Sequence, residues 1–283
     1  EQARQAYGLD AIITLECAAY SRALSHAKSR AEGADHSRSV KWAPDLLETK
    51  VPAMVDAWTR SLQAFSQRLE PASRATFLAA IDAPIYNLQG QAAAEAEGGL
   101  HPKHRLMRYH DFFTDRITPG ERVIDLGCGV GALAASIAET SRAVVTGMDW
   151  TPASLEKARK AAADRGLSRL SFTQGDITKD RAAGPFDVVV LSNVLEHITE
   201  RPERLRVWRE WYHPKRLLIR VPAFDREWRV PWKKELGVEW RLDVTHETEY
   251  TQGQLEDELK RAGLRAAEWV IRWGEYYVTA EPA

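Results

Sequence analysis

Cysteine is nearly absent from the 283 residues: only Cys17 and Cys128 occur, which excludes a disulfide framework and leaves two reduced thiols. No apolar run approaches the ~18 residues needed for a membrane span. With 44% hydrophobic and 28% charged residues, the chain has the make-up of a soluble, cytoplasmic globular protein. An excess of either charge is also missing. The 39 Lys and Arg against 40 Asp and Glu leave a net charge of -1, without the basic footprint of a nucleic-acid binder, so a small-molecule partner fits better. The chain starts at Glu1 with neither an initiating methionine nor a signal-peptide pattern, and reads as a processed piece with residues missing upstream.

What is there falls into two regions. From Ala3 to Leu88 the pattern is helical, with Ala11 to Ala27 and Met54 to Leu69 repeating apolar residues at spacings of three and four, and with expected breaks at Gly33, Pro44, Pro52, Pro71 and Pro84. Residues 1–88 are predicted to form an α-helical N-terminal domain or cap, which is also the candidate surface for homo-oligomer contacts. Residues 89–100, rich in Ala, Glu and Gly, read as a linker. Over 101–283 short apolar runs alternate with helical patterns. Strands are predicted at Arg122 to Leu126, Ala143 to Asp149, Leu170 to Gln174, Phe186 to Ser192 and Arg216 to Val221. A closing hairpin follows at Ala266 to Trp273 and Glu275 to Ala280. That alternation predicts an α/β fold with a mainly parallel sheet covered on both faces.

The first strand runs into Asp125-Leu-Gly127-Cys128-Gly129-Val-Gly131. A glycine-rich turn between a buried strand and a helix lets the backbone approach a ligand closely, at a helix end that carries free N–H groups. Read as Gly127-x-Gly129-x-x-Ala132, the turn also satisfies the dinucleotide fingerprint, so an NAD-dependent oxidoreductase is a competing reading. Asp125 weighs against it, because a carboxylate there disfavours a pyrophosphate and suits a cationic amine. Asp149, about 20 residues on, is suited to ribose hydroxyls under either reading. The third strand ends in Gln174-Gly175-Asp176-Ile177, an acceptor and an apolar wall for an adenine. The fourth ends in Ser192-Asn193-Val194-Leu195-Glu196-His197.

This ordered set resembles the class I S-adenosylmethionine-dependent methyltransferases, in particular the branch that includes the ubiquinone and menaquinone biosynthesis enzymes, over roughly Pro102 to Ala280. The resemblance implies a Rossmann-like seven-stranded sheet, six strands parallel and one antiparallel, with the reversed strand in the terminal hairpin. It implies S-adenosylmethionine as cofactor, S-adenosylhomocysteine as product, and a methyltransferase activity. Asp125, Gly127, Cys128 and Gly129 would then lie on the methionine side, Asp149 and Trp150 by the ribose and adenine, Asp176 and Ile177 by the adenine, and Asn193 beside the methyl donor. In His101-Pro-Lys-His104-Arg105-Leu-Met-Arg108-Tyr109, helical spacing puts Arg105 and Tyr109 on one face, where they are expected to meet the cofactor carboxylate.

A hydroxyl acceptor needs its proton removed, and two histidines are candidates. His197 closes the fourth-strand motif. His246 lies in Trp240-Arg-Leu-Asp243-Val-Thr-His246-Glu-Thr-Glu-Tyr250, at the end of an insert spanning 223–250, with Asp243 spaced to orient it. No metal is assigned from the sequence. Arg220, a charge inside the fifth strand, and Trp228, Trp232 and Tyr250 of the insert are expected against the substrate. The mixture of aromatics and cations, and a looser similarity to methyltransferases of surface-polysaccharide biosynthesis, favour O-methylation of a sugar in a glycan or glycolipid precursor. The alternatives are O- or C-methylation of a quinone, polyketide or other aromatic metabolite, and a non-catalytic scaffold.

Overall fold

The computed structural model describes residues 44–99 and 101–283; the helix expected over Ala11 to Ala27, and Cys17, lie outside them. The chain divides into two compact units, Glu1–Phe65 and Ser66–Ala283. In the first, α1 (Pro44–Ser66) carries Pro52 inside it. The second opens with α2 (Pro71–Ala96), which starts on Pro71 and holds Pro84 in its interior. Pro52 and Pro84, expected as breaks, are therefore accommodated within helices, each removing one backbone donor. Pro71 sits where a missing N–H costs nothing. Residues 89–96, expected as linker, continue α2: Gln, Ala and Glu are good helix formers, and the single Gly90 is carried inside the helix, which ends before the paired glycines at 98 and 99. Hence 66–88 belong to the same compact unit as the sheet.

Two short helices, α3 (Lys103–Met107) and α4 (His110–Thr114), lead into the sheet. Then come β1 (Arg122–Leu126), α5 (Ala132–Ser141), β2 (Val144–Asp149), α6 (Pro152–Asp164), β3 (Leu170–Gln174), β4 (Val188–Ser192), α7 (Arg201–Tyr212) and β5 (Arg216–Pro222). The chain closes with α8 (Arg229–Glu235), α9 (Gln252–Arg261), β6 (Leu264–Arg272) and β7 (Glu275–Pro282). The seven strands lie in the order β3-β2-β1-β4-β5-β7-β6. β1 to β5 pair in parallel, and β7 is antiparallel to both β5 and β6, so six strands run one way and β7 the other.

The pleat divides the core between the two faces. In β1, Val123 joins Val145, Val190, Phe113 and Ile137 on one side. Ile124 and Leu126 join Leu191, Ile219, Trp208 and Leu255 on the other. α9 is held at its start by a capping box in which Thr251 and Gln254 exchange side-chain and backbone hydrogen bonds. The insert is clamped at its base, where Tyr250 N–H donates to Pro222 O (3.0 Å) and Phe224 N–H to Tyr250 O (2.7 Å). No helix among the described residues is long and apolar enough to cross a membrane.

Candidate active site

Because β1, β2 and β4 are parallel, their carboxyl ends deliver Asp125, Asp149 and Asn193 to one edge of the sheet, where open α/β folds bind ligands. A cavity of about 1330 Å³ lies there, bounded by α2, the segment 101–109, the glycine turn, the end of β4 and the insert. The turn is tied to β2 by Gly127 N–H (2.8 Å) and Cys128 N–H (3.0 Å), both donating to Met148 O. Gly127 has φ +74°, and a Cβ there would stand 2.9 Å from Val194 Cγ2. Gly131, at φ +75°, would meet Phe172 and Ala158 equally closely. Glycine is thus required for conformation and for space at both positions.

Asp125 is 2% exposed, and its Oδ2 is buried with no hydrogen-bond partner. Burial, reinforced by the charge of Asp149, raises its pKa to about 7. A buried carboxylate oxygen with nothing to bond is costly unless a ligand completes it. Asp149 differs: Gly129 N–H donates to its Oδ2 (2.9 Å) and Thr151 N–H to its Oδ1 (2.8 Å), fixing the carboxylate while leaving lone pairs on both oxygens. Asn193 adopts the left-handed region (φ 56°), lines the cavity, and buries an Oδ1 that is also unpartnered.

A second cluster stands where the insert meets the end of β4. Glu247 and Thr248 N–H groups donate to Glu196 O (2.7 and 3.3 Å), bringing His246 beside His197 with ring centroids 4.8 Å apart. His246 Nδ1 lies 3.0 Å from Glu249 Oε1. A carboxylate only accepts, so Nδ1 carries the proton and Nε2 keeps its lone pair. Thr245 Oγ1 donates to Asp243 Oδ1 (2.7 Å) and accepts from His197 Nδ1 (3.0 Å), giving His197 the same tautomer. Asp243, expected to orient His246, acts on His197 through Thr245 instead. The buried Glu249 takes the role expected of it, and Arg226 pairs with that carboxylate from the other side. Glu196 is fully buried, neither carboxyl oxygen has a partner, and burial lifts its pKa to about 8.

The other expected site residues divide between the cavity and positions away from it. Gly127, Cys128, Gly129, Tyr109, Asp243 and Arg220 line it. Burial pushes the Cys128 thiol far up, so it stays protonated. Arg220 is neutralised by a bidentate pair with Glu275 (2.5 and 2.6 Å) and stacks 3.7 Å from the Tyr109 ring centroid. Arg105 pairs with Glu97 on the exterior, because α3 ends at Met107 and Arg108 turns left-handed (φ 47°), breaking the helical face assumed for Arg105 and Tyr109. Lys103 and His104 line the cavity in its place. Asp176 is occupied by Thr178 and Lys179, which hold its pKa down near 2, and Ile177 packs on the core. Trp150 is 75% exposed, which rules out simple packing. Trp228 and Trp232 pack on each other outside the cavity lining. Tyr250 is fully buried, donating to Glu258 Oε2 at 3.0 Å, and belongs to the core rather than to a substrate surface. Glu196, Thr245 and Glu249 were missed as partners, although all three lie within or beside the motifs already singled out.

Against known proteins, a methyltransferase-domain profile matches residues 117–261. The ubiquinone biosynthesis O-methyltransferase of Vibrio campbellii is 42% identical over 83 residues, 29% of this chain and 34% of that protein. The enzyme of the same name from Azorhizobium caulinodans is 30% identical over 166 residues, 56% of this chain and 64% of that one. The chain thus spans less than two thirds of the length of either relative. Magnesium protoporphyrin IX methyltransferase of Synechocystis, solved with bound SAH, superposes with a TM-score of 0.51 at 18% identity, covering 64% of this chain and 83% of that one, a likeness of fold.

Proposed function

The chain belongs to the methyltransferase-domain family, and on that footing we propose that it transfers a methyl group from S-adenosylmethionine to a hydroxyl oxygen of a small or medium-sized polar acceptor. The observation that carries the cofactor assignment is the unpartnered, buried Asp125 Oδ2 beside the glycine turn. That oxygen suits the cationic amine of an aminoacyl group and opposes the pyrophosphate of a dinucleotide, which argues against the NAD reading. Asp149 would hold the ribose hydroxyls, and Gly129, where an added Cβ would meet nothing within 4 Å, leaves open space beside it for the cofactor. Retention of so costly a carboxylate also speaks against a scaffold with a vestigial site. When bound, S-adenosylmethionine supplies an electrophilic methyl group on a sulfonium sulfur.

The protein's part is to align the acceptor and to handle its proton. The His197 and His246 pair, with both Nδ1 atoms held and both Nε2 atoms left with lone pairs, is where the hydroxyl gives up its proton. The acceptor end of the cavity is lined by Asp82, Asn87, Gln89, Glu239 and Arg241 with the ring of Trp240, a mixture of hydrogen-bonding groups and an aromatic face that suits a sugar. A sugar hydroxyl of a glycan or glycolipid precursor is therefore the acceptor class we favour. A phenolic oxygen of a quinone-type metabolite is the second reading, favoured by the identity with ubiquinone biosynthesis O-methyltransferases.

Calorimetry with S-adenosylhomocysteine and with NAD tests the cofactor: binding of the first and not the second is expected, and the reverse overturns the assignment. Labelled-methyl transfer to a panel of nucleotide sugars, glycans and hydroxylated quinones tests the acceptor. Turnover confined to the quinones would replace the sugar reading.

A further inference from the structure

We propose that the acceptor carries an oxyanion, a carboxylate or a phosphate, and that Lys103 is the residue that pairs with it; this deepens the methyl-transfer reading above and rests on it. Six Lys and Arg side chains line the cavity. Five already have a counter-charge: Arg220 has Glu275, Arg226 has Glu249, Arg229 has Glu227, Lys233 has Asp82 and Arg241 has Glu239. Lys103 alone forms no ion pair among the described residues. Its side chain is open to the cavity, while the protein packed around it lowers its pKa and the charge of Arg220 lowers it further. A cation so placed is stabilised by an anion that enters.

The position of Lys103 assigns that anion to the acceptor rather than to the cofactor. The charges acting on it most strongly are those of Arg220, Glu275 and Glu196, on the β4 and β5 side of the cavity. Asp125, assigned to the cofactor's amine, ends β1 instead. His101, whose Nδ1 accepts the Lys103 N–H (3.1 Å), lies against Gly90 of α2, beside the Gln89 of the acceptor end. The turn after β4 also carries His197, so an oxyanion on Lys103 ties the acceptor down near the imidazoles that take its proton. The cavity's 1330 Å³ exceeds the roughly 300–1,000 Å³ of a site for one small ligand, which leaves room for cofactor and acceptor together.

His104 also faces the cavity, but burial and the neighbouring Lys103 charge push its pKa down to about 4, so it does not act as a second cation there. A lysine ammonium is a compact point charge without the planar fork of arginine, and it accepts a carboxylate or a phosphate equally. The shared chemistry is therefore an oxyanion, and experiment separates its two sources.

The test is calorimetry on the full chain saturated with S-adenosylhomocysteine, titrated with matched probes: glucose against glucuronate, glucose against glucose 6-phosphate, and a hydroxybenzoate against its amide. The expected result is that the anionic member of at least one pair binds at least about tenfold tighter, the worth of one charge-assisted hydrogen bond. Preference for glucose 6-phosphate identifies a phosphate, and preference for glucuronate or the benzoate a carboxylate. Lys103→Met should erase the preference and Lys103→Arg should keep most of it, with S-adenosylhomocysteine affinity unchanged in both. The proposal is overturned if no pair shows a preference, or if the preference survives Lys103→Met. It is also overturned if Lys103→Met weakens S-adenosylhomocysteine about tenfold or more while Lys103→Arg does not, because Lys103 then serves the cofactor's carboxylate. Failure of S-adenosylhomocysteine to bind the parent chain would remove the methyl-transfer reading itself, and it is seen before any probe is added.

Discussion

Glu249 and His246 share a hydrogen bond of 3.0 Å between two buried side chains, and the same carboxylate also receives Leu242 N–H (2.5 Å) and the Arg226 guanidinium. Three groups from across the insert thus converge on one acidic residue that fixes the tautomer of the histidine. Glu249→Ala should cost about 3 kcal/mol in a denaturant melt, because it leaves the part-buried Arg226 guanidinium without its counter-charge and the Leu242 N–H without its acceptor. Glu249→Gln retains the shape and should lower kcat about 10- to 100-fold while leaving S-adenosylhomocysteine affinity unaltered. Full turnover of Glu249→Gln would show that the orientation of His246 does not matter to the reaction.

Asp125 should limit the stability of the ligand-free protein. Its folded pKa of about 7 lies above the ordinary 3.8, so between those values the folded state holds a proton that the unfolded chain has lost. Stability therefore falls as pH rises through that window, and the deficit is complete above about 7. Roughly three pKa units correspond to about 4 kcal/mol. Asp125→Asn should raise unliganded stability by about 2–4 kcal/mol at pH 8, with the gain fading toward pH 4, and should weaken S-adenosylhomocysteine binding by about 100-fold. Chemical denaturation at several pH values measures the first effect and calorimetry the second. A variant no more stable at pH 8 would mean that the carboxylate has a partner.

The strands could be anticipated because most announced themselves as short apolar runs, and those at 122–126 and 170–174 have the expected bounds. Asp125, Asp149 and Asn193 were legible for the same reason, since a parallel sheet brings strand ends to one edge and the residues at or just past each strand's carboxyl end are readable from their place in the motif. The insert was harder. Its partners are set by loop geometry rather than periodicity, so a spacing argument chose Asp243 over Glu249 for His246, although Glu249 stands equally three residues away on the other side. Arg105 failed on a local event, the left-handed turn at Arg108, which no helical-wheel argument foresees. Tyr250 was read as a substrate contact because it lies in the insert; the structure uses its hydroxyl to satisfy Glu258 inside the core.

That placement makes Tyr250→Phe a stability variant. Removing the hydroxyl leaves Glu258 Oε2 short of one donor, although Arg201 still holds the carboxylate (2.8 Å). The expected loss is about 1–2 kcal/mol in a melt, with KM for the acceptor unchanged. Trp228→Ala, at 70% exposure, should change neither stability by more than about 0.5 kcal/mol nor KM. A KM rise of tenfold in either variant would return these residues to the substrate surface.

Arg220 and Glu275 pose the last question, whether a buried charge in β5 is there for stability or for the site. The pair is bidentate, almost wholly buried, and joins β5 to β7 beneath the Tyr109 ring, while Tyr277 donates to the same carboxylate (2.8 Å). Breaking it from one side strands a charge: Arg220→Met should cost about 3–5 kcal/mol, and so should Glu275→Gln. Removing both charges avoids that penalty, so the double variant should recover most of the loss, with a coupling energy of about 2 kcal/mol or more in a double-mutant cycle. If the pair serves only packing, the double variant should also recover methyl transfer. If Arg220 instead shapes the cavity it lines, stability should return while KM for the acceptor stays raised about tenfold or more. Measuring melts and steady-state kinetics on the same four proteins separates the two, and additivity of the single losses would show that the ion pair contributes nothing to the folded state.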